Sequence, residues 1–253
     1  MHPTMNPNLN DSALIERVAT KTATAIATLR AVCAERSPVT CASSLGAEDM
    51  VLTDIILRQG LPISLFTLDT GRLPPETLDL LAWIEQHYGV LIESHRPDPT
   101  AVADYVARYG HDGFYDSIEA RKACCRVRKL DPLRRALAGQ QAWVTGLRAA
   151  QSVTRQALAV RHWDADNGLE KVNPLADWSE REVWAYIRAH GVPYNALHDR
   201  AYPSIGCAPC TRAISVGEDV RAGRWWWEDP ESKECGLHRQ TAAARQPALT
   251  SNA

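Results

Sequence analysis

The sequence predicts an α/β protein with a three-layer parallel sheet and a loop-rich C-terminal segment. Short apolar runs rich in β-branched residues alternate with amphipathic stretches of helical periodicity along the first 190 residues. Because parallel strands are joined through crossovers, this alternation is typical of a sheet covered by helices on both faces. The periodicity fades after about residue 200, where loops are expected instead.

The individual elements follow from local signals. We expect strands over residues 39–43, 63–68, 90–93 and 142–147. We expect helices over residues 12–35, 48–59, 75–88 and 179–190. The second helix is stopped by Gly60-Leu61-Pro62, the third begins at Pro75, and the fourth begins with a capping box from Ser179 to Glu182.

Three parts of the chain are expected. An N-terminal helical extension covers residues 1–35, and a main domain covers residues 36–240. Within that domain, residues 205–240 carry the last three cysteines, and a flexible tail over residues 241–253 follows.

Composition argues against nucleic-acid and membrane partners. The net charge is −2 at pH 7, so no bulk attraction to a polyanion or an anionic bilayer is expected. No apolar run approaches the roughly 20 residues that a membrane span needs, and the polar N-terminus lacks the apolar region of a signal peptide. We therefore expect a cytoplasmic protein whose paired cysteines bind metal or catalyse rather than form disulfides.

Five of the seven cysteines fall into three groups: adjacent Cys124 and Cys125, a C-x-x-C of Cys207 and Cys210, and a lone Cys235. The two pairs supply four thiolates, the number that a tetrahedral metal or a four-iron cluster requires. The fifth thiol is then spare, which makes it a candidate nucleophile.

The adjacent positions of Cys124 and Cys125 favour a cluster of several metal atoms over a single metal ion as their ligand partner. Successive side chains on a helix diverge by about 100°, so two such sulfurs reach different irons more easily than one zinc ion. Zinc and a vicinal disulfide, the latter rare in the cytosol, remain alternatives. Cys33 and Cys41 lie in apolar surroundings and are expected in the core.

Three candidate ligand-binding loops, over residues 43–49, 68–72 and 145–155, begin where predicted strands end. In parallel sheets, ligands bind at the carboxyl ends of strands. The first loop leads into a helix N-terminus suited to a phosphate or sulfate, although its single glycine excludes a Walker loop and a plain turn is the alternative. Arg148 and Arg155 in the third loop are candidate phosphate ligands, although surface arginines are usually just solvated.

Two basic groups accompany the cysteines. The first surrounds the adjacent pair and consists of Arg121, Lys122, Arg126, Arg128 and Lys129. Such cations lower thiol pKa values and stabilise an anionic cluster, while a solvated helix face is the alternative. In the second group, Arg221 and Arg224 precede three tryptophans. The arginines could hold an anion beside an aromatic wall formed by the tryptophans, and the alternative is that the tryptophans only pack in the interior or on a partner.

Together these motifs resemble the assimilatory sulfonucleotide reductases, and within them the iron–sulfur adenylyl-sulfate (APS) reductases. The resemblance covers roughly residues 40–240. It rests on these motifs, in the order of the family: Ser43-Ser44-Leu45-Gly46-Ala47-Glu48-Asp49, Leu68-Asp69-Thr70-Gly71-Arg72, Cys124-Cys125-Arg126-Val127-Arg128-Lys129, Gly146-Leu147-Arg148 with Gln151-Ser152 and Arg155, Asn173-Pro174-Leu175-Ala176-Asp177-Trp178, Cys207-Ala208-Pro209-Cys210, and Glu234-Cys235-Gly236-Leu237-His238.

The resemblance implies an adenine-nucleotide α-hydrolase-like fold and thioredoxin-dependent reduction of APS to sulfite and AMP. It assigns Cys235 as the nucleophile, and it assigns a [4Fe–4S] cluster to Cys124, Cys125, Cys207 and Cys210. Candidates for the reacting sulfuryl group are Lys129, Arg221, Arg224 and His238. Candidates for nucleotide binding are Ser43, Ser44, Glu48, Asp49, Leu68, Thr70, Arg148 and Arg155. A homo-oligomer is expected.

Three alternatives stay open at this point. The enzyme could use 3′-phosphoadenylyl sulfate (PAPS), or both sulfonucleotides, although PAPS-specific members usually lack the four cluster cysteines. An ATP-dependent thiolation enzyme of the same superfamily would need a glycine-richer loop and a basic RNA-binding surface. A zinc-stabilised interaction module would instead use the tryptophans at 225–227 as its binding patch.

Overall fold

The computed structural model describes residues 11–151 and 158–229, and its centre is a six-stranded sheet. The strands are β1 (Val39–Ala42), β2 (Ile63–Leu68), β3 (Glu93–His95), β4 (Ala142–Val144), β5 (Arg161–Asp164) and β6 (Leu169–Val172). Their order across the sheet is β3-β2-β1-β4-β6-β5. All neighbours are parallel except β5 and β6, which form an antiparallel pair at one edge.

Helices cover both faces of this sheet. They are α1 (Ser12–Glu35), α2 (Ala47–Arg58), α3 (Pro75–Tyr88), α4 (Pro99–Tyr109), α5 (Ile118–Cys125), α6 (Asp131–Leu137) and α7 (Glu180–His190). A π-helical turn, Arg126–Leu130, joins α5 to α6. The predicted capping box is present at α7, where the Ser179 hydroxyl and the Glu182 carboxylate each accept from the other residue's backbone N–H.

The predicted fold class is confirmed, with corrections at the sheet edges. The third strand begins at Glu93, so the expected strand over 90–93 was placed too early, and Leu91 is 79% exposed. The strand pair β5–β6 and the helices α4, α5 and α6 were not anticipated. Edge strands such as β3 and β5 carry mostly polar, part-exposed residues, so they lack the apolar run that marks a central strand.

The main core lies between one sheet face and the helices α1, α2, α3 and α7. Residues of α1, including Leu14, Leu29 and Val32, are buried in this core, and Cys41 is buried there while Cys33 packs against it. A smaller core on the opposite face packs α6 against Phe66 and Trp143. The expectation that Cys33 and Cys41 belong to the core is confirmed.

Within the described ranges, no helix is long and apolar enough to cross a membrane.

The buried carboxylate of Asp54 joins three helices of the main core. It is fully buried on α2 and accepts hydrogen bonds from Tyr88 on α3 at 2.7 Å and from Tyr186 on α7 at 2.8 Å. Arg58 adds an ion pair one turn further along α2, at 2.8 Å. A buried anion is tolerated only when such donors replace its water, so these donors fix the packing of α3 and α7 on α2.

We predict that Tyr186→Phe lowers the free energy of unfolding by about 1–3 kcal/mol, because the buried carboxylate of Asp54 loses one of its hydrogen-bond donors. The matched control is Tyr194→Phe, whose hydroxyl lies 3.3 Å from an oxygen of the exposed Asp199 and whose loss is expected to cost less than about 0.5 kcal/mol. Urea unfolding of both variants measures the difference. Equal losses would contradict a special role for Asp54.

Candidate active site

A cleft of about 980 Å³ opens at the carboxyl ends of β1, β2 and β4, and the C-terminal segment closes one side of it. The loops after these strands form its floor, as expected for a parallel sheet. Eleven of the predicted site residues line it: Ser43, Ser44, Glu48, Asp49, Leu68, Thr70, Lys129, Arg148, Cys207, Arg221 and Arg224. The predicted residues Arg155, Cys235 and His238 lie outside the described ranges.

Asp49, at the start of α2, ties together two loops of the cleft floor. One oxygen accepts hydrogen bonds from the backbone N–H and the hydroxyl of Ser44, both at 2.6 Å. The other accepts from the backbone N–H of Gly146, after β4, at 3.1 Å. A Cβ at Gly146 would overlap the Asp49 carboxylate, so this close approach requires glycine there.

Burial sets the protonation behaviour of Asp49. Because the carboxyl group is buried, its pKa is raised to about 6, although the hydrogen bonds from Ser44 and Gly146 act in the opposite direction. The neighbouring Glu48 carboxylate raises the pKa further. The carboxylate that joins the two loops is therefore ionised at neutral pH but becomes protonated under mildly acidic conditions.

Glu48 and Arg148, both predicted to bind substrate, pair with each other across the same two loops. The Arg148 guanidinium reaches Glu48 Oε1 with Nε at 2.8 Å and Nη2 at 2.7 Å, and it also donates to the carbonyl of Trp178. Arg148 is only 5% exposed. The charges of Glu48 and Arg148 therefore neutralise each other on this wall of the cleft. The pair is also a second connection between the loops after β1 and β4.

The two predicted cysteine pairs meet in one buried cluster. Cys125, Cys207 and Cys210 are buried with Phe114 and Trp225, and Cys124 packs against them. Cys124 and Cys125 end α5, whereas Cys207 and Cys210 flank a short 3₁₀ turn in the C-terminal segment. All six cysteines in the described residues are free thiols, so Cys124 and Cys125 form no vicinal disulfide.

The loop after β2 is the meeting point of these pairs. Its Arg72 carbonyl accepts from the backbone N–H of Ala208 at 2.8 Å, and its Thr70 carbonyl accepts from the buried Arg128 at 2.8 Å. The Thr70 hydroxyl and the Cys207 thiol share a hydrogen bond of 3.2 Å. Cys207 and Thr70 also line the cleft, so the cysteine cluster and the cleft share a wall.

Burial and nearby cations shift the pKa of Cys207 in the direction opposite to those of Cys124 and Cys210. Burial alone would raise the pKa of the Cys207 thiol, but Lys129, the Thr70 hydrogen bond and two arginines outweigh burial and lower that pKa. Burial and the Cys207 charge raise the pKa of Cys210 to about 12. Burial likewise raises the pKa of Cys124. Among these three thiols, the surroundings of Cys207 favour the thiolate, whereas those of Cys124 and Cys210 favour the neutral thiol.

The donor set fits a thiolate-bound inorganic cluster. Four thiols share one buried site, and the cations beside Cys207 could balance the negative charge that such a cluster carries. Among the described residues, no group of three His, Cys, Asp or Glu side chains forms a site for a single metal ion.

Several cleft residues were not predicted from the sequence, among them Trp184, Arg188, Tyr194 and His198. These four come from α7 and the turn after it, and the rings of Tyr194 and His198 contact Trp184 edge-on at 5.1 and 5.3 Å. The capping box located α7 correctly. Only the tertiary fold shows that one face of this helix borders the cleft.

Comparison with known proteins agrees with this geometry. The family model described as phosphoadenosine phosphosulfate reductase domain matches residues 38–213. A protein of Allochromatium vinosum named adenosine 5′-phosphosulfate reductase is 67% identical over 243 residues, covering 96% of this chain and 95% of its own length. A protein of the same name from Burkholderia cepacia is 53% identical over 230 residues, covering 91% of this chain and 92% of its own.

Two solved structures are similar in fold. The phosphoadenylyl-sulfate (PAPS) reductase of Candida auris, in a phosphate complex, has a TM-score of 0.65 at 26% identity and covers 79% of this chain and 97% of its own. The FMN adenylyltransferase of Candida glabrata, in complex with FAD and inorganic pyrophosphate, has a TM-score of 0.57 at 14% identity and covers 94% of this chain and 80% of its own. The adenine-nucleotide α-hydrolase-like fold is confirmed.

Asp49 generates a prediction for pH dependence. Its pKa is about 6 in the folded protein and near 3.8 in the unfolded chain, so the folded state binds more protons between these values. The free energy of unfolding should therefore fall by up to about 3 kcal/mol from this group as the pH rises from 4 to 7. Denaturant unfolding of wild type and Asp49→Asn across this range measures the effect. Identical pH profiles would contradict it.

Proposed function

The chain belongs to the phosphoadenosine phosphosulfate reductase family and is an oxidoreductase acting on sulfur, and we propose that it reduces APS to sulfite and AMP in sulfate assimilation. One structural observation carries the proposal beyond the fold. Cys207 belongs both to the buried four-thiol cluster and to the wall of the cleft at the carboxyl ends of the strands. This shared wall supports the proposal that a cluster held by the four thiols lies beside the bound nucleotide.

The nucleotide is proposed to lie on the loops of the cleft floor. The Ser43 and Ser44 loop leads into the N-terminus of α2, whose N-cap Gly46 has no side-chain acceptor for the first-turn N–H groups. Free N–H groups at a helix start favour an anion such as the AMP phosphate. Leu68 and Thr70 border the same space from the β2 loop. Arg155 is proposed to reach the nucleotide from the loop after β4.

A [4Fe–4S] cluster is proposed at Cys124, Cys125, Cys207 and Cys210. When bound, it would supply a fixed negative charge beside the cleft and a rigid connection between α5 and the C-terminal segment. The protein's own cations would meet that charge: Lys129 and Arg224 line the cleft and also act on the Cys207 thiol. The same two side chains can therefore orient an anionic sulfuryl group toward this wall.

The first chemical step is proposed to take place at Cys235. Its thiolate attacks the sulfur of APS, a sulfur–sulfur bond forms, and the bond from that sulfur to the phosphate oxygen breaks. The electron pair of the broken bond leaves with AMP, and the product is S-sulfocysteine. Lys129, Arg221, Arg224 and His238 are proposed to stabilise the charge on the transferring group.

The second step is proposed to use thioredoxin. A thioredoxin thiolate attacks the Cys235 sulfur, and sulfite leaves with the electron pair of the sulfur–sulfur bond. The second thioredoxin thiol resolves the mixed disulfide and restores the Cys235 thiolate. The dithiol thus supplies the two electrons that reduce sulfate-level sulfur to sulfite.

We propose that the active enzyme is a cytoplasmic homo-oligomer.

Anaerobic turnover with APS and with PAPS, following thioredoxin-dependent sulfite release, tests the activity. We expect turnover of APS, since all four cluster cysteines are present and the relatives described above are named for APS reduction. Comparable turnover of both substrates would indicate an enzyme that accepts APS and PAPS. Turnover of PAPS alone would overturn the choice of APS as the substrate. AMP formation from ATP without sulfite would favour a thiolation enzyme instead.

We predict that Cys235→Ser lowers sulfite formation by about 10³-fold or more, because a hydroxyl cannot form S-sulfocysteine. Iron content and AMP affinity should stay at wild-type values. The control is Cys33→Ser, the same change at a half-buried cysteine of the core, which should leave the rate unchanged. An active Cys235→Ser protein would rule out the proposed nucleophile.

We also predict that Cys207→Ser lowers the iron content of anaerobically purified protein and its visible absorbance, because one thiolate ligand is lost. Iron per chain is the measurement, again with Cys33→Ser as the control. Wild type should contain about four irons per chain. An unchanged iron content in Cys207→Ser would show that this residue is not a cluster ligand. A colourless wild-type protein with one zinc ion per chain would favour the alternative of a zinc-stabilised interaction module.

A further inference from the structure

Tyr105 on α4 buries a phenol hydroxyl beside the cysteine cluster. Within α4, all of which the structure describes, it is the one buried residue, and it is only 5% exposed. The helix packs against α5, which ends with the adjacent cysteines, and against the π-helical turn that follows them. The single side chain that α4 buries is therefore directed toward the proposed metal centre.

Two observations place the hydroxyl at the edge of the cysteine cluster. A Cβ at Gly113 would lie 3.9 Å from it, and the next residue, Phe114, is buried with the cysteines. Of the described side chains, Cys124 acts most strongly on the hydroxyl. The tyrosine thus reaches from α4 to the first of the two adjacent cysteines.

The hydroxyl of Tyr105 is an unsatisfied donor. Its oxygen is buried, and among the described residues no group forms a hydrogen bond of good geometry with it. Burial raises the pKa of the hydroxyl above its ordinary value, so the proton stays on the oxygen at neutral pH. A buried hydroxyl without a partner costs free energy, and such a group calls for a partner in the working protein.

Cys124 can become that partner. A neutral thiol is a weak acceptor, whereas a metal-bound thiolate carries negative charge and accepts strongly. Binding of a metal centre removes the thiol proton. The contact between the hydroxyl and this sulfur then becomes a charge-assisted hydrogen bond.

The other thiol of the adjacent pair has a neighbour that is already balanced. Arg121, one turn before Cys125 on α5, interacts with that thiol. Its guanidinium also donates to the carboxylate of Glu228 through Nε and Nη2, both at 2.7 Å, and the two side chains are 1% and 4% exposed. This cation has a carboxylate whether or not a metal centre binds, whereas the donor of Tyr105 depends on the state of Cys124.

We propose that Tyr105 donates a hydrogen bond to the Cys124 sulfur when that sulfur binds the proposed iron–sulfur cluster, and that this bond helps to retain the cluster. The inference rests on the proposed function, because it needs Cys124 as a cluster ligand. Hydrogen-bond partners of metal ligands fix the orientation of the ligand and tune its electronic properties. Their loss typically lowers metal affinity by about 10- to 100-fold.

The test is Tyr105→Phe, which keeps the ring and removes only the hydroxyl. Iron release from the anaerobic, cluster-loaded protein to a ferrous chelator should be about tenfold faster than in wild type, or more. The Fe–S(Cys) stretching bands of the resonance Raman spectrum should also move to higher frequency, because a hydrogen bond withdraws electron density from the sulfur.

The matched control is Tyr109→Phe, the same change one turn along α4. Its ring lies 5.3 Å from that of Tyr105, but its hydroxyl donates to the exposed Glu119 at 3.0 Å. This control should release iron at the wild-type rate with unshifted bands.

The outcomes separate the inference from the proposed function. A Tyr105→Phe protein that releases iron at the wild-type rate would overturn the inference alone. Faster release with unshifted bands would also overturn it, because the phenol would then contribute only packing. If anaerobically purified wild type itself holds no iron, the proposed cluster fails first.

Discussion

The carboxylate of Asp49 is the interaction on which the cleft depends. It joins the Ser44 loop to Gly146 while it is buried, and a buried anion is stable only when donors replace the water that it has lost. The neighbouring Glu48 repeats the connection through Arg148, so the loops after two adjacent parallel strands are clamped twice. Gly146 has to be glycine because the carboxylate occupies the space of a side chain. The cleft floor is thus rigid, and it presents its N–H groups in one fixed arrangement.

The C-terminal segment completes the site through contacts that are distant in sequence. The loop after β2 supplies Thr70 to Cys207 and the Arg72 carbonyl to Ala208, while Arg128 reaches the same loop from the π-helical turn. One loop of the sheet therefore positions both cysteine pairs. This explains why cations next to one pair act on the thiols of the other, and why the cysteine cluster shares a wall with the cleft.

The sequence predicted the parts of the structure that have local causes. The capping box at Ser179, the helix start at Pro75 and the central strands all have short-range signals, and strand ends identify the cleft loops because of the parallel topology. The edge pair β5–β6 escaped prediction because its short strands, Arg161–Asp164 and Leu169–Val172, mix polar and apolar residues and contain no apolar run. The pairings of Glu48 with Arg148 and of Arg121 with Glu228 could not be predicted either. They join residues about one hundred positions apart, and only the fold decides which charges meet.

The C-terminal segment is shaped by main-chain hydrogen bonds, and this has a consequence for how its sequence can vary. Ala208 donates to the Arg72 carbonyl of the β2 loop, and within the segment Trp225 donates to the Cys210 carbonyl while Thr211 pairs with Arg224 in an isolated β-bridge. Hydrogen bonds between main-chain groups do not depend on the side chains at those positions. The path of the segment is therefore separable from the chemistry of the thiols and cations that it carries.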